Sequence, residues 1–180
     1  MATALFITRK QLVQNSILDG NVDTDKFIQF IKIAQEIHIR NYLGTDLYNK
    51  ISTDIAASNL SGAYLTLVRT YIQPMLIHYA MADYIPFAAY QIKNGGVFKH
   101  TSENAETVSK NEIDYLVKKE RDIAEYYTRR FIDFMSFNQS SYPEYTSNTN
   151  EDIDPDKDSL FNGWGLWKEK VNQKIKMCKN

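Results

Sequence analysis

The sequence predicts an all-α protein: a helical bundle around a long Pro-kinked central helix, with a loop or short β-hairpin excursion and an extended C-terminal arm. Two patterns support the helices. Apolar side chains recur at spacings of three and four residues over most of the first 138 positions. The glycines all fall at expected breaks between helices. We therefore expect a helical domain over residues 1–138 and an arm over residues 139–180.

Composition narrows the class of protein. The formal net charge is -1, so strong non-specific attraction to nucleic acid is not expected from the chain as a whole. The single cysteine, Cys178, cannot form an internal disulfide, which is typical of a reducing compartment. The N-terminus lacks a signal-peptide pattern. The longest charge-free apolar run, Tyr71–Ala82, is shorter than the about 20 residues of a transmembrane helix.

Two helices are expected in the N-terminal part. Thr8, with Gln11 three residues later, forms a capping-box pattern and predicts a short helix over Arg9–Gln14. Thr24, or the aspartate before it, caps a second helix, which ends at Gly44 in the C′ position. The inner face of the second helix is expected at Phe27, Phe30 or Ile31, Ala34, Ile37 or His38, and Tyr42.

A third helix is expected directly after Gly44. Thr45 is placed to cap it. Its inner face is expected at Leu47, Tyr48, Ile51 and Ile55. The stretch Ser58–Gly62 is expected to break the chain before the central helix.

The central helix is expected within Ala63–Gly96, the longest apolar segment. Pro74 and Pro86 each remove a backbone hydrogen bond, which costs about 3 kcal/mol in a regular helix interior. We therefore expect a bent rod or two helices in series, ending at Gly95 and Gly96. The polar stretch Val97–Lys110 then predicts a surface loop or a short β-hairpin.

A last long helix is predicted after Ser109, which forms a capping-box pattern with Glu112. Its buried face is expected at Ile113, Leu116, Val117, Ile123 or Ala124, Tyr127, Phe131 and Phe134. Its carboxylates are expected on a solvated face; they are Glu112, Asp114, Glu120, Asp122 and Glu125.

The C-terminal arm has a different composition. It lacks helical periodicity, is strongly acidic between positions 144 and 158, and ends in an aromatic and lysine-rich segment. This composition predicts an extended arm with little structure of its own. An arm that docks on a neighbouring molecule is one interpretation, and a floppy terminus is another. A third is a membrane-surface or host-interaction module built on Trp164, Trp167 and the lysines after them.

The sequence gives little indication of catalysis. The three histidines lie in different segments, and no HExxH, CxxC or glycine-rich phosphate loop is present. We therefore expect no enzyme, no cofactor and no metal site. The alternative is a small ligand- or metal-binding enzyme that uses His78, Tyr79, Asp83 and Tyr84.

Three stretches carry a family resemblance: residues 6–51, 71–113 and 126–135. Their signatures are the YLGxxLY pattern at Tyr42–Tyr48, the proline-bearing core helix and the KNGGV break at Lys93–Val97. Over about residues 5–138 the chain resembles small, mostly helical proteins of phages and prophages of gut Bacteroidales, including the crAss-like phages. That family is similar in turn to the head–tail adaptor (connector) proteins of tailed phages.

The resemblance implies a structural virion protein. Such adaptors form a homo-oligomeric ring, usually a dodecamer, between the portal protein and the next ring or tail protein. DNA passes through the channel without sequence-specific binding and leaves through it at ejection. The implied location is the head–tail interface of the virion, after tail assembly in the host cytoplasm, with no membrane contact. The expected interaction residues are Val97, Phe98, Lys99, His100, Tyr142, Tyr145, Phe161, Trp164 and Trp167.

Overall fold

The all-α class is confirmed: the chain is mostly helical. The structure, a computed structural model, describes residues 4–18, 24–88, 90–93, 96–99, 109–147, 149 and 152–157. The helices are α1 (Arg9–Gln14), α2 (Thr24–Ala34), α3 (Arg40–Ala56), α4 (Gly62–Leu67), α5 (Gln73–Ala88), α6 (Lys110–Asn138) and α7 (Pro143–Ser147). Two π-helical turns (Gln35–Ile39 and Val68–Ile72), a 3-10 turn (Gln139–Ser141) and the strands β1 (Tyr90–Lys93) and β2 (Gly96–Lys99) complete the described elements.

Both predicted capping boxes are confirmed. The Thr8 hydroxyl accepts a hydrogen bond from the Gln11 amide, and the Gln11 side chain accepts one from the Thr8 amide. Ser109 and Glu112 form the same reciprocal pair at the start of α6. These hydrogen bonds hold the pKa of the Glu112 carboxyl below its usual value. Each box satisfies backbone donors that the first turn of a helix leaves unpaired.

The π-helical turn after α2 changes which side chains face the core. Ile37, one of the expected inner residues, is 54% exposed, whereas Gln35 and Ile39 are fully buried. A π-helical turn contains more residues than an α-helical turn, so it shifts the buried face along the sequence. Of the two alternatives at this position, Ile37 is wrong, whereas His38 is half-buried and stacks on Tyr79. Phe27, Ala34 and Tyr42 are buried as predicted.

Gly44 breaks the helix as predicted. Its φ of 73° is non-helical and lies inside α3. Because that value is in the left-handed region, it favours glycine. Thr45 uses its hydroxyl to bond Asp152 and Ile153, far along the chain.

The central helical run ends earlier than predicted. It extends from α4 through a π-helical turn into α5, with Pro74 just after the π-helical turn and Pro86 in the last turn of α5. The expected continuation to Gly95 and Gly96 is wrong, because β1 begins at Tyr90 and pairs antiparallel with β2. The intervening sequence is Asn-Gly, the dipeptide that two-residue hairpin loops favour.

The core lies where α5 packs against α2 and α6. The buried residues of α6 are Ile113, Glu120, Ala124, Thr128, Phe131 and Met135. Leu116, which was expected inside, is 39% exposed. At the position given as Ile123 or Ala124, Ala124 is fully buried and Ile123 is 39% exposed. The pattern misleads here because α6 carries apolar side chains on more than one face.

The helical body continues past the predicted boundary at residue 138. Tyr142 and Tyr145 are each only 2% exposed and belong to the core. The Tyr142 hydroxyl donates to the Ala63 carbonyl over 3.2 Å, and Tyr64 donates to Glu144 over 2.6 Å. The arm therefore does not leave the body at residue 139, because two spaced tyrosines anchor α7 despite its polar surroundings. Residues 158–180 lie outside the described part of the chain.

Within the described residues, no helix combines the length and the apolar character needed to span a bilayer.

Candidate interaction surfaces

One face of α6 carries large apolar side chains although it points to solvent. We call it the outer α6 face; its large side chains are Tyr115, Leu116, Ile123, Tyr126 and Phe137, which are 39–87% exposed. At about 100° per residue, all five fall within an arc of about 100° on the helix. The core-facing residues of α6 occupy the other side. An amphipathic helix normally has one apolar stripe, so the second stripe indicates a contact surface.

Four charged residues share this arc: Lys119, Arg130, Glu112 and Asp133. The Lys119 ammonium is 5.6 Å from the centre of the Tyr115 ring, and the Arg130 guanidinium is 5.2 Å from that of Tyr71. Such cation–π contacts keep the cations beside the rings. Tyrosine and arginine together are enriched in protein–protein interfaces.

A second outward apolar face lies on the other side of α5. We call it the outer α2 face: Ile33 and Ile37, four residues apart, together with Phe87 at the end of α5. These side chains are 44%, 54% and 58% exposed. The ring of Phe87 lies 5.3 Å from that of Phe30, which joins the end of α5 to α2.

The helices that carry the two outer faces pack on opposite sides of α5. Helix α2 contacts α5 at Phe87, through Phe30. Helix α6 contacts α5 at His78, through Glu120. Phe87 and His78 are nine residues apart, which is about two and a half helical turns, so they lie on opposite sides of α5.

A largely buried hydrogen-bonded pair joins α5 to α6. The Nδ1 atom of His78 lies 2.7 Å from the Glu120 carboxylate, and the two side chains are 18% and 11% exposed. The His78 ring stacks on that of Tyr127. Glu120 was expected on a solvated face. That expectation is wrong, because Glu120 is buried against α5. The sequence pattern does not show this pair, since its two residues are 42 positions apart.

The four residues of the alternative enzyme site face different partners. His78 bonds α6, while Asp83 lies 3.7 Å from His38. Tyr79 stacks on His38 at 4.0 Å and bonds Thr128, and burial raises the pKa of its hydroxyl. Tyr84 packs its ring on the aromatic rings of α2. Among the described residues, no three potential ligands are grouped to hold a metal ion.

A polar network ties the N-terminal segment to the first π-helical turn. Gln35 is fully buried, accepts from the Phe6 amide, and donates to the Ala4 carbonyl and the Tyr48 hydroxyl. Tyr48 in turn donates to Glu36 over 2.7 Å. Burial raises the pKa of Tyr48 to about 12. Sequence periodicity does not reveal this network, since its members are polar and scattered.

We call the segment 152–157 the strap. It supplies hydrogen-bond partners to backbone groups of α3 that the break at Gly44 leaves without partners inside the helix. In a regular α-helix the Thr45 amide would donate to the Asn41 carbonyl. Instead, Thr45 donates to the carbonyl of Ile153 over 3.0 Å, and the amide of Asp156 donates to Asn41 over 2.8 Å. The strap therefore pairs both backbone groups that the break at Gly44 releases.

We call the break of α3 at Gly44 the corner. Side chains hold the strap against this corner. The Asp152 carboxylate accepts from the Arg40 guanidinium over 2.8 Å and from the Thr45 hydroxyl over 2.9 Å. The Pro155 ring lies against Gly44, where a Cβ would come within 2.7 Å of it. Glycine is thus required at this position both by its φ and by the close approach of Pro155.

The interaction residues expected from the sequence do not form one surface in the described chain. Val97, Phe98 and Lys99 lie on β2. Tyr142 and Tyr145 are core residues, so the expectation that they contact a partner is wrong. The remaining four lie outside the described residues: His100, Phe161, Trp164 and Trp167.

These features define a mostly helical protein with two outward apolar faces and a strapped helix corner. The model of a family of unknown function (DUF6712) matches residues 39–155, and the chain belongs to this family. The matched range contains both Gly44 and Pro155. No curated protein and no solved structure matches the chain.

Proposed function

We propose that this protein is a structural virion protein, a head–tail connector (adaptor) ring subunit that joins the portal to the tail and lines the DNA channel. The observation that carries the proposal is the pair of outward apolar faces on opposite sides of α5. The sequence resemblance to phage adaptors supports the same role. Together they favour an assembly of identical copies.

A ring needs two different faces on each subunit. In a head-to-tail ring, one surface of each copy contacts a second, different surface of the next copy, whereas a two-fold dimer uses one surface twice. The outer α6 face and the outer α2 face supply such a pair. The proposed occupant of the outer α6 face is therefore the outer α2 face of a neighbouring copy.

The finer architecture fits this role. A bundle around the bent, proline-bearing helix from α4 to α5 would form the body of each subunit. The hairpin β1–β2 follows α5 directly, so Val97, Phe98 and Lys99 are proposed to reach a neighbour or the channel. The aromatic residues after the strap, Phe161, Trp164 and Trp167, are proposed to contact the portal or the adjacent subunit.

The other partners follow from the same role. The ring, proposed to be a dodecamer, would contact the portal on one side and the next tail or ring protein on the other. Its near-zero net charge suits a channel through which DNA slides without being held. The proposed location is the head–tail interface of the virion, reached after assembly in the host cytoplasm.

Co-purification with the portal tests the role. A tagged copy of the protein, expressed with the portal protein of the phage or prophage that encodes it, should elute with the portal. Negative-stain electron microscopy should show a ring stacked on it. A protein that stays monomeric and never joins portal or tail proteins would refute the role.

A further inference from the structure

The strap is held in a different way from the helix before it. Tyr142, just before α7, and Tyr145, within it, are buried in the core. In the strap, by contrast, no side chain is buried: Ile153 and Pro155 are half-buried and the rest are exposed. Segments held by few apolar contacts open at a lower free energy than the core does. The strap can therefore leave while α7 stays in place.

Without its strap, the corner would present unpaired hydrogen-bonding groups that can bind an extended peptide. Thr45 offers a backbone donor and Asn41 a backbone acceptor. Arg40 offers a guanidinium for a carboxylate. Main-chain hydrogen bonds of this kind supply affinity for extended peptides, while side-chain contacts supply specificity. Here the specificity is for an aspartate, with a proline three positions later that fits against Gly44.

We propose that the corner at Gly44 is a docking site for an extended peptide, and that the strap of a second copy can take the place of the subunit's own strap. A second copy carries the same segment, so every contact seen within one subunit is available between two. Exchange of identical segments is a low-cost route to association. The proposal does not depend on the phage role, since it concerns only two copies of this chain.

A complementation experiment tests the exchange. The first variant, Asp152→Ala/Asp156→Pro, keeps the corner but loses the carboxylate and one backbone donor of its strap. The second, Gly44→Ala, keeps the strap but blocks the corner. Hydrogen exchange at the Thr45 amide is followed by NMR in the ¹⁵N-labelled first variant, before and after addition of the unlabelled second variant.

We expect the Thr45 amide to lose its protection from exchange in the first variant and to regain it when the second variant is added. The Thr45 amide should exchange about tenfold faster in the first variant alone, as expected when charge-assisted hydrogen bonds are lost. Adding the Gly44→Ala variant at about 1 mM, enough to populate a weak complex, should restore slow exchange. Native mass spectrometry should detect a species with the mass of two chains.

The control partner is Gly44→Ala/Asp152→Ala/Asp156→Pro, which has neither a working corner nor a working strap. Equal recovery with this control would overturn the proposal, as would no recovery with the Gly44→Ala variant. Unchanged exchange at Thr45 in the first variant alone would also overturn it, because the strap would then not be what protects that amide.

A free peptide keeps the test decisive if Gly44→Ala does not fold. The peptide TNEDIDPDK, residues 149–157, replaces the second variant, and TNEAIDPDK is its control. Slower exchange at Thr45 with the first peptide alone supports the proposal. The same exchange rate with both peptides contradicts it.

Discussion

Gly44 is the residue where backbone conformation and packing impose the strictest demand. Substitution by alanine forces a β-carbon into both a left-handed φ and the space of the Pro155 ring. We expect Gly44→Ala to lower the free energy of unfolding by about 2 to 5 kcal/mol, measured by urea denaturation.

Gly62 is the matched control for this substitution. It also has a positive φ, 56°, but beyond its chain neighbours and its own helical backbone no atom lies within 4 Å of the point where a Cβ would stand. Gly62→Ala should therefore cost about 1 to 2 kcal/mol. Equal losses in the two variants would contradict the proposed contact between Gly44 and Pro155.

Tyr48 makes stability fall at alkaline pH. Burial raises its pKa from 10.0 to about 12. Between those values the unfolded chain has lost the phenolic proton and the folded chain keeps it, so stability declines as pH rises. One such group contributes up to about 1.4 kcal/mol per pH unit.

Urea denaturation from about pH 9 to 12 checks this expectation. Tyr48→Phe should make the decline shallower than in the parent protein, although it also removes the bonds to Gln35 and Glu36. Tyr115→Phe, at a position that is 60% exposed, is the control for removing a phenolic hydroxyl. A decline as steep in Tyr48→Phe as in the parent would contradict the assignment.

At the scale of elements, the contact between α5 and α6 depends on His78 and Glu120. Removing one partner leaves the other polar group buried without its hydrogen bond. We expect His78→Ala to destabilise the fold by about 3 kcal/mol. The paired change His78→Leu/Glu120→Leu should lose less than about 1 kcal/mol, because apolar replacements of a buried pair are often neutral.

Thermal and urea unfolding measure the stability of both variants. If the leucine pair is as unstable as His78→Ala, then packing rather than the buried pair sets the stability of this contact.

The elements also show what local sequence can and cannot predict. Capping boxes at Thr8 and Ser109 and the break at Gly44 depend on nearby residues, and these predictions are confirmed. The hairpin signal was present in the Asn-Gly dipeptide between alternating residues, but the two glycines at 95 and 96 also suit a helix stop. Sequence spacing did not predict the π-helical turn, so it left Ile37 and His38 as alternatives for the inner face, and only His38 packs inward.

Local sequence patterns do not predict contacts between residues that are far apart in the chain. The pairing of His78 with Glu120 and the docking of the strap at Gly44 join residues that are far apart in sequence. Helix α6 shows a related difficulty: its two apolar stripes both satisfy helical periodicity, and the sequence alone does not say which one faces α5. The structure places one stripe in the core, which leaves the other, the outer α6 face, as a candidate contact surface.

At the scale of the whole molecule, ring assembly is proposed to bury the outer α6 face. Ile123→Asp places a charge on that face, and desolvating it in an interface is unfavourable. We expect this variant to remain folded but to lose ring assembly on the portal, as judged by electron microscopy and size-exclusion chromatography.

Arg121→Asp is the control for this substitution. Arg121 is exposed on the same helix, outside the apolar arc, so its replacement should leave the ring intact. Rings formed equally by both variants would exclude the outer α6 face from the subunit contact.

The most direct measurement is a cryo-electron microscopy reconstruction of the protein assembled on its portal. We expect a closed ring in which the outer α6 face of each copy contacts the outer α2 face of the next. A particle without a ring of this chain, or a ring in which both faces remain open to solvent, would contradict the account.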